Sequence, residues 1–403
     1  MLRDLPALVS REGGYATVVR VDPIRLRPRR APRVPLGRLG GPWVLSPDRS
    51  RVAVSTPSGV RLVDLAKMRA VSDVSTGLEE TLALAWPMTE RLLLAGRAAE
   101  GRAVELVAVD LPQRRVLARH RLPGFVVDDA AGSGDLQLLM ARIGTIGPCR
   151  LVVLDVDGSL RLRALSRIPC GVRTRAVDGG LTVDRSLAPG LVSADDRSFV
   201  VSQDDLIVEV EHDGLRVDYH ELREETALLG RILDWLVPAA NAKGLSEGWV
   251  RDLLWLGRDR LAVYGWNEHA ARGPHGWEQR ESPASLRLVD TSSWMYRTID
   301  AGASVALRAG GRLLAFGTSY STSSGRFEGD GLRMYTLSGA RRLHLLPGRA
   351  VWDVQVAGGR AYVSFEESFR NATVDLATGE VLAVFEDADP PSLFGGGRDL
   401  TRG

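Results

Sequence analysis

Short runs rich in valine, leucine and aromatic residues recur along the chain in pairs, and each pair is parted by glycine, aspartate or serine. One kind of pair begins at Pro42 (PWVLSPDRSRVAVST) and returns from Leu82, Phe125, Leu191, Val250, Val305 and Val351 (VWDVQVAGGRAYVSF). Runs of this length around Ser-Pro-Asp-Arg or Ala-Gly-Gly-Arg predict antiparallel hairpins, because glycine and aspartate accept the backbone angles of a tight turn. Each is followed by a second pair, such as VRLVDLAKMRAV or ATVDLATGEVLAVF. The turns of these second pairs fall at Asp64, Asp110, Asp155, His212, Asp290, Thr336 and Asp375.

Four short strands cannot enclose a core alone, but repeated every forty to fifty residues or so and set radially they bury both faces of each sheet against their neighbours. The expected fold class is therefore all-β: a β-propeller of about seven four-stranded blades. Sandwiches and small barrels need fewer strands and no internal self-similarity. The segment YATVVRVDPIRLRPR, with Asp22 near its turn, reads as one further hairpin. It either lends a closing strand to the last blade or brings the count to eight. A single domain is expected over 1–403, with an N-terminal segment 1–40, blades over 42–387 and a flexible tail over 388–403.

SPDRSRVAVS, GVRLVDLA and TVDLATGEVLAV resemble the bacterial WD40-like and YVTN-type propeller repeats, and the resemblance runs from about Pro42 to Phe385. Val63-Asp64, Val289-Asp290 and Val374-Asp375 stand where a strict WD40 blade carries Trp-Asp, and no regular Gly-His pair precedes the blades. The resemblance implies a fold and no activity.

Composition narrows the classes. With 44% hydrophobic and 25% charged residues the chain is of globular type, and its net charge of +2 gives no general pull on nucleic acid or anionic membrane. Lys67 and Lys243 are the only lysines, an arginine bias that resembles high-GC bacterial proteomes. The start MLRDLPALVSREGG lacks the apolar stretch of a secretory signal, and no segment has the length of a membrane span, so a cytoplasmic location is expected. Cys149 and Cys170 are too few for a disulfide framework or a cysteine zinc cluster.

The long insertions fall on one predicted face, the top. HELREETALLGRILDWLVP, from His220, places Leu222, Leu229, Ile232, Leu233 and Leu236 on one helical stripe, which predicts a short helical insertion between blades four and five. The next insertion, GWNEHAARGPHGWEQRESP, gathers Trp266, Glu268, His269, His275, Trp277, Glu278 and Arg280 as binding candidates in a loop. Its histidines and carboxylates are of metal-ligating type, but their spacing matches no zinc signature, and no metal is assigned. TSYSTSSGRFEGDG in blade six reads as a flexible linker. Insertions from adjacent blades would crowd one sector of the rim and form a shared recognition surface. The run IRLRPRRAPR, broken by Pro28 and Pro32 and without interleaved aromatics, reads as an extended edge or connector; the alternative is a contact with an anionic partner through Arg25, Arg27, Arg29, Arg30 and Arg33.

Two functions are expected of such a chain. The first is a noncatalytic binding or scaffold module that presents its top-face loops to a protein partner in an intracellular assembly, without cofactor, nucleic acid or membrane span. The alternative is a propeller enzyme, a metal-assisted hydrolase or lactonase with its pocket at the top of the channel. Asp128, Asp252 and Asp353, at similar places on innermost strands, are its candidate catalytic carboxylates. Those aspartates can equally serve as structural acceptors. No linear nucleophile, phosphate-loop or dinucleotide motif is present.

Overall fold

The computed structural model describes residues 4–394 apart from 11, 99–102, 123–125, 134–135, 143–146, 156, 178–179, 187–189, 195, 203–204, 225–247, 274–275, 322–325, 366–369 and 388–389. Apart from one short 3-10 turn at Glu12–Gly14, the regular structure among these residues is all β-strand. The seven sequence repeats share a core of four antiparallel strands in meander order, the seven-bladed propeller that the repeat pattern predicts; the third adds a fifth strand, Gly180–Ser186, and the fifth and sixth fall in one larger sheet. The N-terminal hairpin does not join the last repeat. Strands Pro28–Arg38, Tyr15–Val21 and Leu5–Ser10 build a separate four-stranded sheet with Ser392–Leu393. Ser392 and Leu393, within the stretch expected to be a tail, pair with Leu8 and Ala7.

The chain divides into two compact units, Met1–Val183 with Asp353–Gly403, and Asp184–Trp352. In the first, the period of two along a strand explains why successive sheets stack. Leu92 and Leu94 pack with Leu62, Val74 and Val107, whereas their neighbours Leu93 and Ala95 pack with Leu106, Val152 and Leu154. Both faces of the strand are thus dry, which is why it reads as a continuous apolar run and not as an alternation. The N-terminal sheet sits the same way, with Val18, Val34 and Phe394 against Val52 and Val54, and Val19, Val21 and Leu26 against Tyr362. In the second unit Phe199 and Ile207 meet Leu253, Leu261 and Val263, and Tyr264 and Leu288 meet Leu313 and Tyr335.

The recurrent aspartate of the outer hairpins has a local cause. Asp64, Asp110, Asp290 and Asp375 each accept a backbone N–H two or three residues on, from Lys67, Gln113, Ser292 and Ala377 respectively. Met68, Arg114, Trp294 and Gly379, each four residues past the aspartate, then take positive φ of 49°, 53°, 57° and 79°. A register shift one or two residues before the turn, as at Leu62/Val63 and Ala108/Val109, completes a bulged hairpin. A non-glycine residue in that conformation costs about 1–2 kcal/mol. The carboxylate offsets it by satisfying turn amides that would otherwise lack a partner.

The expected helix lies mostly outside the described residues, and its opening residues are extended. His220 and Glu221 end the strand Val217–Glu221, and Arg223–Glu224 pairs in parallel with Met295 and Tyr296. Leu222 packs in the cluster of Phe199 and Leu261, with Trp294 beside it. Pairing with the exposed edge of the next repeat satisfies backbone groups that a first helical turn would leave open.

Candidate functional site: two long hairpins joined edge to edge

Among the described residues, the insertions of repeats five and six are strands. In repeat five the strand Arg260–Gly273 pairs over its first residues with the blade strand Leu286–Asp290, then runs on and returns as Gly276–Pro283. In the sequence, Gly-Pro-His-Gly at 273–276 is a turn composition between two tryptophan-bearing runs that could have signalled a hairpin. In repeat six Arg312–Ser321 and Arg326–Thr336 extend in the same way. The two hairpins then pair with one another, Arg280 opposite Ser321 and Glu281 opposite Tyr320. This join merges both repeats into one ten-stranded sheet. The segments expected to be a loop and a flexible linker are therefore a backbone-bonded platform, because each hairpin edge finds its partner in the other.

Buried charge holds the roots of the hairpins. Arg251, 7% exposed, donates from Nε to Asp205 Oδ1 at 2.9 Å, from Nη1 to the Trp266 carbonyl at 3.2 Å and from Nη2 to Asn267 Oδ1 at 3.0 Å. Arg287 donates to the other oxygen of Asp205 at 2.7 Å and lies over the ring of Tyr296, 4.9 Å from its centroid. A planar guanidinium with several fixed donors suits this task, since it can serve a carboxylate and the hairpin backbone together. At the second root Tyr335 donates to Asp300 Oδ2 at 2.8 Å, and Arg333 donates to the Gly302 carbonyl at 2.9 Å. Arg333 Nε stands 2.7 Å from Asp300 Oδ2, close enough for an ion pair though not aligned as a hydrogen bond. Burial, and then the Asp300 carboxylate, push the Tyr335 hydroxyl well above the usual phenol range. Gly317 passes so near Gly302 that a Cβ would lie 2.0 Å from its carbonyl oxygen. Thr318 donates to the Val351 carbonyl at 2.6 Å, and Phe327 meets Trp352 edge-on with centroids 3.9 Å apart.

The register assigns places to the binding candidates. Glu268 stands opposite Glu281, His269 opposite Arg280, Glu278 opposite Ala271 and Trp277 opposite Arg272. Trp266 is half-buried at the root, opposite Pro283. His275 lies outside the described residues, as do the side chains of Glu268, His269, Trp277, Glu278 and Arg280. Among the described residues no group of three or more histidine, cysteine or acidic side chains is placed to hold a metal ion. Sequence reading missed Asp205, Arg251, Arg287, Asp300 and Arg333, since nothing in a linear string marks a charge that will be buried.

The candidate carboxylates divide between the two units. Asp128 lies on Val126–Ser133 at the register break between Val127 and Ala130, and its side chain is outside the described residues. Asp353 is half-buried on Val351–Ala357. In the other unit, half-buried Asp252 accepts the Leu253 N–H at 2.8 Å, and a Cβ on Gly190 would come within 2.6 Å of its Cα. Among the described residues no helix is long and apolar enough to cross a membrane.

No family model matches the sequence, and no curated protein sequence does. Solved structures match widely. The dihydro-heme d1 dehydrogenase NirN, in complex with DHE, aligns at a TM-score of 0.55 and 14% identity, over 96% of this chain and 74% of that one. Apo AztD from Citrobacter koseri aligns at 0.45 and 10% identity over 99% of each chain, and the Myceliophteria thermophila Cps50 (Swd1) β-propeller domain at 0.41 and 11% over 87% of each. The first of these likenesses supports the fold alone; the other two carry no further argument. What this chain is similar to is a β-propeller.

Proposed function

We propose that this protein is a noncatalytic binding module whose joined hairpins in repeats five and six are the surface offered to a protein partner inside the cell. The observation that carries the reading is the pairing of Arg280 and Glu281 with Ser321 and Tyr320. A ladder between two insertions makes a rigid platform, and a surface ordered before it binds loses little entropy on association. Along this platform the sequence places Trp266, His269, Trp277 and Arg280, and tryptophan and arginine are the residue types that most often dominate binding energy. Kinship of the repeats with the bacterial WD40-like and YVTN type belongs to the same proposal.

The test compares partner capture from the native cell by three proteins: the intact chain, a form with Glu268 to Glu281 replaced by Asn-Gly, and Trp277→Ala/Arg280→Ala. Asn-Gly joins opposed strand ends with little strain. Melting temperatures identify any variant that fails to fold. The reading expects one specific partner to be lost from both variants. Undiminished capture by both, or no specific partner with the intact chain, overturns it.

A further inference from the structure

The strand Pro28–Arg38 ends the N-terminal sheet, and among the described residues it pairs only with Tyr15–Val21. Between Arg20 and Arg38 there are seven arginines and one acidic residue, Asp22, a net of +6 in a chain whose total is +2. Two of these arginines are committed. Arg20 donates to the carbonyls of Asp4, Leu65 and Ala66, and Arg29 pairs with Asp4 at 3.1 Å. The Asp22 carboxylate is occupied by the amides of Ile24, Arg25 and Arg27. Arg25, Arg27, Arg30, Arg33 and Arg38 are exposed, and among the described residues none of them pairs with a carboxylate. Arg33 donates to the Arg29 carbonyl at 3.3 Å, but five like charges on and beside one exposed edge still repel each other.

We propose that this edge is a docking strip for an extended acidic segment of a partner protein. Charge complementarity selects the occupant, because a guanidinium offers paired donors that match a carboxylate. The strand from Arg29 to Arg38 spans about 30 Å, room for about nine residues of extended peptide. Pro28, Pro32 and Pro35 have no N–H to offer, so the guest is held by side chains and does not add as a strand. Nucleic acid fits less well. Proteins that hold single strands set stacking aromatics among their cations, and the run from Arg20 to Arg38 has no aromatic residue. This strip is on a different unit from the hairpin platform, and either proposal can fail without the other.

The test is fluorescence anisotropy of the full chain with a labelled peptide of alternating glutamate and serine, about ten residues long. Binding is expected at low salt and weakens as ionic strength rises from about 50 to about 500 mM. The variant Arg25→Gln/Arg27→Gln/Arg30→Gln/Arg33→Gln should lose roughly thirtyfold in affinity. An equal charge removed from exposed positions of other sheets, by Arg69→Gln/Arg115→Gln/Arg121→Gln/Arg163→Gln, should change it by no more than about twofold. Circular dichroism and melting temperature verify that both variants fold. Three results each overturn the proposal: no binding at the lowest salt, equal loss from both variants, or tighter binding of a single-stranded oligonucleotide of the same length.

Discussion

Replacing Asp300 by alanine isolates the buried charge at the root of the second hairpin. Its side chain is 6% exposed and that of Arg333 7%, so solvent screens the pair little. Without the carboxylate, Arg333 keeps the Gly302 carbonyl at 2.9 Å and the exposed Asp330 at 3.7 Å. Removing one partner of a buried ion pair costs about 3–5 kcal/mol. The Tyr335 hydroxyl also loses an anionic acceptor, a term of about 1.5–3 kcal/mol, but both groups share one carboxylate and the costs do not add. The partial compensation from Asp330 places the expected loss near the low end, about 3 kcal/mol. A chain of 403 residues in two compact units is a poor case for a single unfolding free energy. Amide hydrogen exchange is the better readout. Protection over Met295–Asp300 and Arg326–Thr336 should fall by roughly a hundredfold or more where exchange follows opening of this region. The triple variant Asp300→Leu/Arg333→Met/Tyr335→Phe removes every polar group together and should recover most of that protection, since apolar replacement of a buried pair is often neutral. A change below about threefold for Asp300→Ala, or a triple variant no better than the single one, refutes the reasoning.

Two more outcomes follow from local geometry. The Ser46 hydroxyl, then the Ser50 amide and hydroxyl, hold the Asp48 carboxyl down from 3.8 to about 2. The stability it contributes is therefore present above about pH 4 and lost as pH falls toward about 2; thermal melts across that range should show a shallower acid decline for Asp48→Asn than for wild type. Gly331 has a φ of +66°, and a Cβ there would lie 2.3 Å from the carbonyl oxygens of Leu345 and Leu346. Gly331→Ala should lower the melting temperature through about 1–2 kcal/mol of backbone strain plus that clash. Gly311→Ala, where nothing lies within 4 Å of the added atom, should leave it unchanged or raised.

Repetition made the fold legible. A strand such as Leu92–Ala95 is apolar at every position because sheets lie against both its faces, and that composition is visible without coordinates. The turn aspartates were legible too, because their role is met within four residues of their own position. Arrangements decided by partners distant in sequence were not legible. TSYSTSSGRFEGDG has the composition of a linker and becomes strand where a neighbouring edge supplies its hydrogen bonds. The first residues of HELREETALL carry a helical stripe, yet Arg223 and Glu224 extend along another repeat. The residues Trp266 to Arg280 stand out in the sequence by their chemistry alone, whereas Arg251 and Arg333, which hold the roots, require knowledge of what is buried.

The pairing of Leu5–Ser10 with Ser392–Leu393 has a consequence for how the protein is made. At ribosomal speeds of about 5–20 residues per second, roughly 20 to 80 seconds separate synthesis of the first strand from synthesis of its last partner. Until then the N-terminal sheet lacks its fourth strand, and Ala7 and Leu8 lack Leu393 and Phe394, which cover them in the finished fold. For most of its translation the nascent chain therefore carries an early apolar edge of the kind that invites pairing with other chains.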